Sequence, residues 1–274
     1  RARLGLMLNF RFVLMTKNIY LVLFIIFATP FLLAEGKPAH TPTESTWRKL
    51  LQDNADCVTW VSVTVRVEVS SRGRSYPPQE QKLEALGTVI AEDGLTVLSL
   101  TSVDPTSNIL SRMRTPGTSV QVNYIEVLIL MSDGTEVPAK LLLKDIDLDL
   151  AFVLPIPDTE ELKNGTTFAP VPKSSPKKDF SLQVLDEVVS VSKLGRNLYR
   201  QSTLRRGWVN AVIKKPRPYY VIENIGLGTP IFSTLGDWLG VVVYKMDNGR
   251  PSSIVTLPSR DIMEIAEQVR SRTP

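Results

Sequence analysis

Apolar and polar residues alternate along most of this chain. Val61, Val63, Val65, Val67 and Val69 fall at period two within Cys57 to Val69, the pattern of a strand buried on one face. Shorter strand-like runs recur at Gly87–Ala91, Thr96–Leu100, Ile125–Leu130, Thr135–Leu143, Ala151–Leu154, Glu187–Val191, Gly207–Ile213, Tyr219–Ile222, Gly240–Tyr244 and Ser253–Thr256. Turn signals such as Glu92-Asp93-Gly94, Ser132-Asp133-Gly134 and Asp247-Asn248-Gly249 separate them. Many short strands without long alternating helices predict an all-β barrel or sandwich architecture.

Helical periodicity is confined to the ends of this β region. Thr43-Glu44-Ser45-Thr46 reads as a helix start before Trp47 to Asn54, with Trp47, Leu50 and Leu51 on one side. Pro258-Ser259 starts a closing helix over Arg260 to Arg270, with Ile262, Ile265, Ala266 and Val269 on one face. Pro155 to Lys178 holds five prolines and no apolar period, and reads as a linker. The expected organisation is therefore a helix and first β unit over 45–154, a linker over 155–178, a second β unit over 179–258 and a C-terminal helix over 259–274.

A different pattern precedes all of this. Ile19 to Leu33 is an unbroken apolar run after Lys17 and before Ala34-Glu35-Gly36, which predicts a secretory signal peptide over 1–34 and a tether over 35–44. The run is shorter than a bilayer span and contains Pro30, so contact with a membrane is expected only through an uncleaved signal segment. Met15 stands directly before the run, which marks residues 1–14 as an over-extended start.

Charge changes once that segment is set aside. Arg1, Arg3, Arg11 and Lys17 precede the cleavage point, and removing these four from 32 basic residues leaves 28 against 28 acidic ones. A neutral chain argues against nucleic acid, whose binding rests on a basic surface. With one cysteine, Cys57, and one histidine, His40, neither an internal disulfide nor a Cys/His metal site is expected, and no cofactor is implied. Cys57 reads as a buried structural thiol. An exported chain without disulfides fits a secreted protein, most simply one of a bacterial periplasm or outer surface.

Candidate chemistry centres on Ile225-Gly226-Leu227-Gly228-Thr229-Pro230, a tight glycine turn leading toward Leu239-Gly240-Val241. Glycines around one side chain signal a sharp turn or a close backbone approach. Gly87 to Leu95 followed by Thr96 to Val103, the segment Asp145 to Val153, Asp186 to Val191, Gly207-Trp208-Val209 and Ile254 to Val269 accompany it in a definite order. Together these stretches resemble HtrA/Do-type trypsin-like serine proteases over about residues 45 to 270. The resemblance implies two antiparallel β-barrels with an active site in the cleft between them.

It also implies that catalysis has been lost. Ser102 stands at the histidine position, allowing for one extra residue in the preceding strand, Asp149 at the acidic position and Leu227 at the nucleophile. That mechanism needs serine to attack, histidine to take its proton and aspartate to orient the histidine. Ile225 replaces the glycine of the oxyanion hole, a poor residue for strained backbone. The implied protein is a pseudoprotease whose cleft, at Ile225, Gly226, Leu227, Gly228, Thr229 and Pro230, receives an extended peptide or a partner protein. Two alternatives are a hydrolase with a non-standard nucleophile, Thr229 or Ser233 activated by a lysine, and a structural or regulatory subunit of an envelope complex.

Three further features have bland readings. With no histidine beside it, Asp149 is expected to accept hydrogen bonds from Ser102 or backbone N–H groups. Asp145 and Asp147 are a poor calcium motif and are expected on the exposed side of a strand whose Ile146, Leu148 and Leu150 face inward. Arg196, Arg200, Arg205, Arg206, Lys214 and Lys215, with Lys193 and Arg217, form a basic segment without acids; it is either a docking surface or, more simply, solvated loop charge.

Overall fold

The computed structural model describes residues 44–113, 116–172 and 182–272. The expected signal peptide, His40, all but the last residue of the tether, and the end of the expected linker lie outside the described residues. From Glu44 onward the chain forms one compact unit. No helix among the described residues is long and apolar enough to cross a membrane.

In chain order the elements are α1 (Glu44–Asn54), β1 (Val58–Ser71), β2 (Arg74–Ser75), β3 (Gln79–Val89), β4 (Thr96–Ser99), α2 (Thr106–Met113), β5 (Thr118–Leu130), β6 (Glu136–Asp145), β7 (Leu150–Pro155) and α3 (Glu160–Lys163). There follow β8 (Glu187–Lys193), β9 (Ser202–Ile213), β10 (Tyr219–Ile222), β11 (Pro230–Ser233), β12 (Trp238–Asp247), β13 (Arg250–Pro258) and α4 (Ser259–Arg272). The protein is thus mostly β with few helices.

Strands β8 to β13 close into a six-stranded antiparallel barrel in the order β10-β13-β12-β11-β8-β9. The other sheet runs β2-β1-β3-β4-β7-β6-β5, and an additional pairing of β1 with β5 turns it into a ring. Period-two alternation explains the ring's interior: Val61, Val63, Val65 and Val67 of β1 are buried with Leu98, Ile129, Val137 and Val153. Val188, Val209, Ile222, Ile231 and Val242 fill the barrel in the same way.

A third cluster draws from both sheets and the terminal helices, joining Trp47, Val58, Phe152, Val189, Trp238 and Ile262. α1 contributes Trp47 and Leu50, while its solvent side carries the pairs Arg48–Glu44 at 2.9 Å and Lys49–Asp53 at 2.7 Å. α4 buries Ile262, Ala266 and Val269, as its periodicity predicts, and Asp261 accepts from Arg217 at 3.0 Å. Cys57 is buried, with its thiol 3.0 Å from the carbonyl of Asn54; burial pushes its pKa up to about 12, which keeps it protonated.

Three local readings differ from the structure. β6 ends at Asp145, and residues 146–149 form a turn in which Asp145 Oδ1 accepts the N–H groups of Asp147 and Leu148, each at 3.0 Å. Ile146 is consequently exposed, not inward. Short-range bonds from an Asp side chain to the backbone compete with a ladder, and here they win. Second, β3 and β5 begin well before the expected strands, at Gln79 and Thr118. Third, α2 follows directly on the Ser102 region, where no helix was expected.

Within the Pro-rich stretch, α3 and the following residues lie against the ring. Phe168 packs on the ring's core cluster, and Val171 is buried with its N–H on the carbonyl of Val89 at 2.9 Å.

Candidate functional site

The glycine turn links β10 to β11 and is fixed from both sheets. Gly228 N–H donates to Val242 O at 2.8 Å, and Val242 N–H donates back to Thr229 O at 3.1 Å. Thr88 Oγ1, from β3 of the ring, donates to Gly228 O at 2.8 Å. The two glycines are not equivalent. Gly228 has φ +75°, and a Cβ there would lie 1.9 Å from the carbonyl oxygen of Leu86; at Gly226 the nearest atom to a Cβ would be 3.8 Å away. Gly228 is therefore required by both conformation and contact, and Gly226 by neither.

Ile225, Gly228, Thr229 and Pro230 of the expected cleft are buried, Leu227 is half-buried and Gly226 is exposed. Leu227 packs on the apolar interior of the barrel beside residues such as Ile225 and Ile222. Thr229 is fully buried; its hydroxyl donates to Gly226 O at 2.7 Å and lies 3.0 Å from Ser190 Oγ. Ser233 serves its own turn, with Oγ accepting from Leu235 N–H at 3.2 Å and Asp237 N–H at 3.1 Å. Neither hydroxyl has a lysine as its bonded partner among the described residues.

Asp149 lies between the ring and the barrel, fully buried, at φ +56°. Its carboxylate receives Ser99 Oγ at 2.6 Å, Thr101 Oγ1 at 2.6 Å, Thr101 N–H at 2.7 Å and Tyr244 N–H at 2.8 Å. Four donors occupy the four lone-pair directions of an ionised carboxylate. The first three come from the ring and the last from β12, so the buried charge ties the two sheets together. Ser102, expected as its partner, makes no hydrogen bond to it; the 3-10 turn over Leu100–Ser102 presents Thr101 instead.

The basic segment divides into partnered and unpartnered members. Arg200 approaches Glu84 at 3.4 Å and lies over the Trp60 ring, with its charge 5.9 Å from the centroid. Arg206 Nε donates to Glu187 at 2.8 Å, and its guanidinium lies 5.4 Å from the Trp47 centroid. Arg205 caps the carbonyl of Asn224 at 3.0 Å. Arg196, Lys214 and Lys215 are exposed and carry no ion pair among the described residues.

Lys193 is not a loop charge. It ends β8, lies on the same strand face as Val189 and Val191, which pack in the cluster shared by the two sheets, and is buried. Its Nζ donates to Ser132 Oγ at 2.7 Å and lies 3.7 Å from Asp56 Oδ1, while Ser132 Oγ donates to the same oxygen at 3.1 Å. Desolvation lowers the lysine pKa, and the Asp56 charge opposes that shift. The three residues line a cavity of about 340 Å³ with Thr59, Thr166 and Phe168. Sequence reasoning missed this cluster, although the Val-x-Val-x-Lys spacing carried the signal. Among the described residues no group of three or more His, Cys, Asp or Glu is placed to hold a metal ion.

Neither a family model nor a curated protein matches this chain.

Proposed function

We propose that this chain is a secreted, HtrA-like pseudoprotease of the trypsin-like two-barrel fold, which binds an extended peptide or partner protein without cleaving it. The observation that carries the reading is the environment of Asp149. In the protease mechanism this position must leave a carboxylate oxygen for a histidine N–H. Here Ser99, Thr101 and Tyr244 take all four acceptor positions. The chain's one histidine, His40, lies in the segment before the first helix. Leu227 at the nucleophile position has no group that attacks a carbonyl.

Further support comes from the closed six-stranded barrel, the second ring, and the glycine turn packed between them. The apolar run before Ala34 supports secretion or a periplasmic location. Binding is the use that remains to a cleft stripped of its chemistry, through main-chain pairing and side-chain pockets.

A hydrolase with a non-standard nucleophile has one geometric point in its favour, the 2.7 Å contact between Ser132 and Lys193 beside a cavity. Burial lowers the Lys193 pKa, which suits a base, but Nζ donates to Ser132 Oγ while the serine hydroxyl donates to Asp56 Oδ1 at 3.1 Å, so its proton is directed away from the lysine. A fluorophosphonate probe separates the two readings. The pseudoprotease reading expects no covalent labelling of the native chain; labelling that disappears in Ser132→Ala or Lys193→Met would overturn it.

A further inference from the structure

Strand β3 is paired unevenly. Along one side it pairs with β1 from Gln79 to Thr88, but on the other it meets β4 only from Gly87 to Val89. From Gln79 to Leu83 that second edge faces no strand among the described residues. An unpaired edge is a template for another strand. Five residues of edge are about 17 Å long, enough for a five-residue extended segment.

The edge opens on a groove of about 490 Å³, whose opposite wall is α2, through Asn108, Ile109 and Arg112. Register places Gln79, Gln81 and Leu83 opposite Val67, Val65 and Val63, hence on the same inward face. Val67, Val69, Leu83 and Ile109 supply an apolar surface to the groove, and Gln79 and Gln81 add polar groups. Neither glutamine amide bonds to a described residue. Arg112 is exposed and makes no ion pair or hydrogen bond among the described residues. Main-chain groups, amides and a cation that have no bonded partner among the described residues thus meet an apolar surface in one groove.

We infer that an extended peptide binds here by strand addition to the free edge of β3, with alternate apolar side chains facing Val67, Val69, Leu83 and Ile109 and an acidic side chain meeting Arg112. This deepens the peptide-binding reading and rests on it, but it moves the binding site from the glycine turn to the mouth of the ring. The groove fits a peptide better than a second copy of the chain. A copy's β3 edge is walled by its own α2, so edge-to-edge pairing would bring two helices into one groove.

The test uses the full-length protein and fluorescein-labelled ten-residue peptides alternating valine with serine or threonine, each carrying glutamate or lysine at one position. Fluorescence anisotropy is expected to show binding of glutamate members at least about tenfold tighter than lysine members, the range for one charge-assisted contact. Arg112→Glu should reverse that preference. N-methylation of the peptide backbone at alternate positions should abolish binding in one phase and spare it in the other, because an added strand directs only every second N–H at its partner. Hydrogen exchange at Gln79 to Leu83 should slow when the peptide is bound.

Peptide binding that is insensitive to Arg112→Glu and to methylation phase, yet lost in Leu227→Trp, would sink the groove assignment and leave the peptide-binding reading standing. Binding of no peptide would overturn both. Sedimentation as a dimer with the β3 edge protected in the absence of peptide would assign the edge to a second copy instead.

Discussion

At the scale of single residues, the two glycines of the turn separate conformation from mere sequence resemblance. Gly228→Ala would place a methyl 1.9 Å from Leu86 O at a backbone angle that L-residues rarely adopt. Its expected cost is about 2–5 kcal/mol, from strain at positive φ together with overpacking. Gly226→Ala meets no atom closer than 3.8 Å and is expected to be neutral to within about 0.5 kcal/mol. Urea denaturation of the two variants checks the contrast; equal midpoints would show that the close approach of Leu86 does not constrain the turn. Asp149 offers a second case. Asp149→Asn keeps the shape and tolerates φ +56°, but turns an NH₂ group toward donors. A loss of about 2–4 kcal/mol is expected from the unmet donors in a buried site. The sequence marked this residue as the acid of a catalytic constellation and gave Ser102 as its neighbour. Which hydroxyls reach it depends on the 3-10 turn that presents Thr101, a tertiary detail that period and motif do not encode.

At the scale of elements, legibility followed burial. β1 was readable because five valines alternate against a filled interior. The first half of β3, with Gln79, Glu80, Gln81 and Lys82, was not, because no apolar period marks a strand whose second edge is unpaired and whose surface is largely exposed. α2 escaped for a related reason: it is eight residues long and buries none of them fully, with Ile109 packing only partly on the ring. Its anchor is Asp104, whose Oδ1 accepts Thr106 N–H at 3.0 Å and whose Oδ2 accepts Tyr124 Oη at 2.7 Å, with Lys144 Nζ at 3.6 Å. Burial works against the Asp104 charge, but these hydrogen bonds and Lys144 outweigh it, and the carboxyl titrates below its ordinary range. Burial also raises the Tyr124 pKa, helped by its bond to Asp104, so the phenol stays protonated and donating. A depressed carboxyl pKa adds stability above the unfolded value, near 3.9, and loses it as pH falls through the lower folded value. The docking of α2 is therefore expected to hold at pH 5 and weaken below about pH 4, and Asp104→Asn should flatten that dependence. Amide exchange of Ile109 against pH measures it; an unchanged acid limb in the variant would remove Asp104 as the anchor.

At the scale of the whole molecule, the β character and the terminal helices followed from periodicity and turn chemistry, which left barrel and sandwich both open; the closed barrel is one of those two outcomes. The way the sheets are joined did not. That junction depends on Tyr244 N–H reaching Asp149, Thr88 reaching Gly228, Trp60 Nε1 donating to Leu194 O at 3.0 Å, and Lys193 bonding Ser132. Each contact spans residues far apart in sequence, and apart from Lys193, whose Val-x-Val-x-Lys spacing carried a signal of burial, each uses a polar side chain whose local pattern allowed an exposed position equally well. The same junction bears on the proposed function, since Asp149, which the resemblance places at the acidic position, is one of the groups that hold the sheets together. The proposed peptide-binding, non-cleaving role rests on this arrangement. The most direct measurement is to incubate the full-length protein with a mixed library of extended peptides, recover the protein, and identify the retained and released peptides by mass spectrometry. The account predicts a retained subset of intact peptides, rich in alternating apolar residues with an acidic member. New peptide fragments accumulating with time, or a library returned whole with nothing retained, would contradict it.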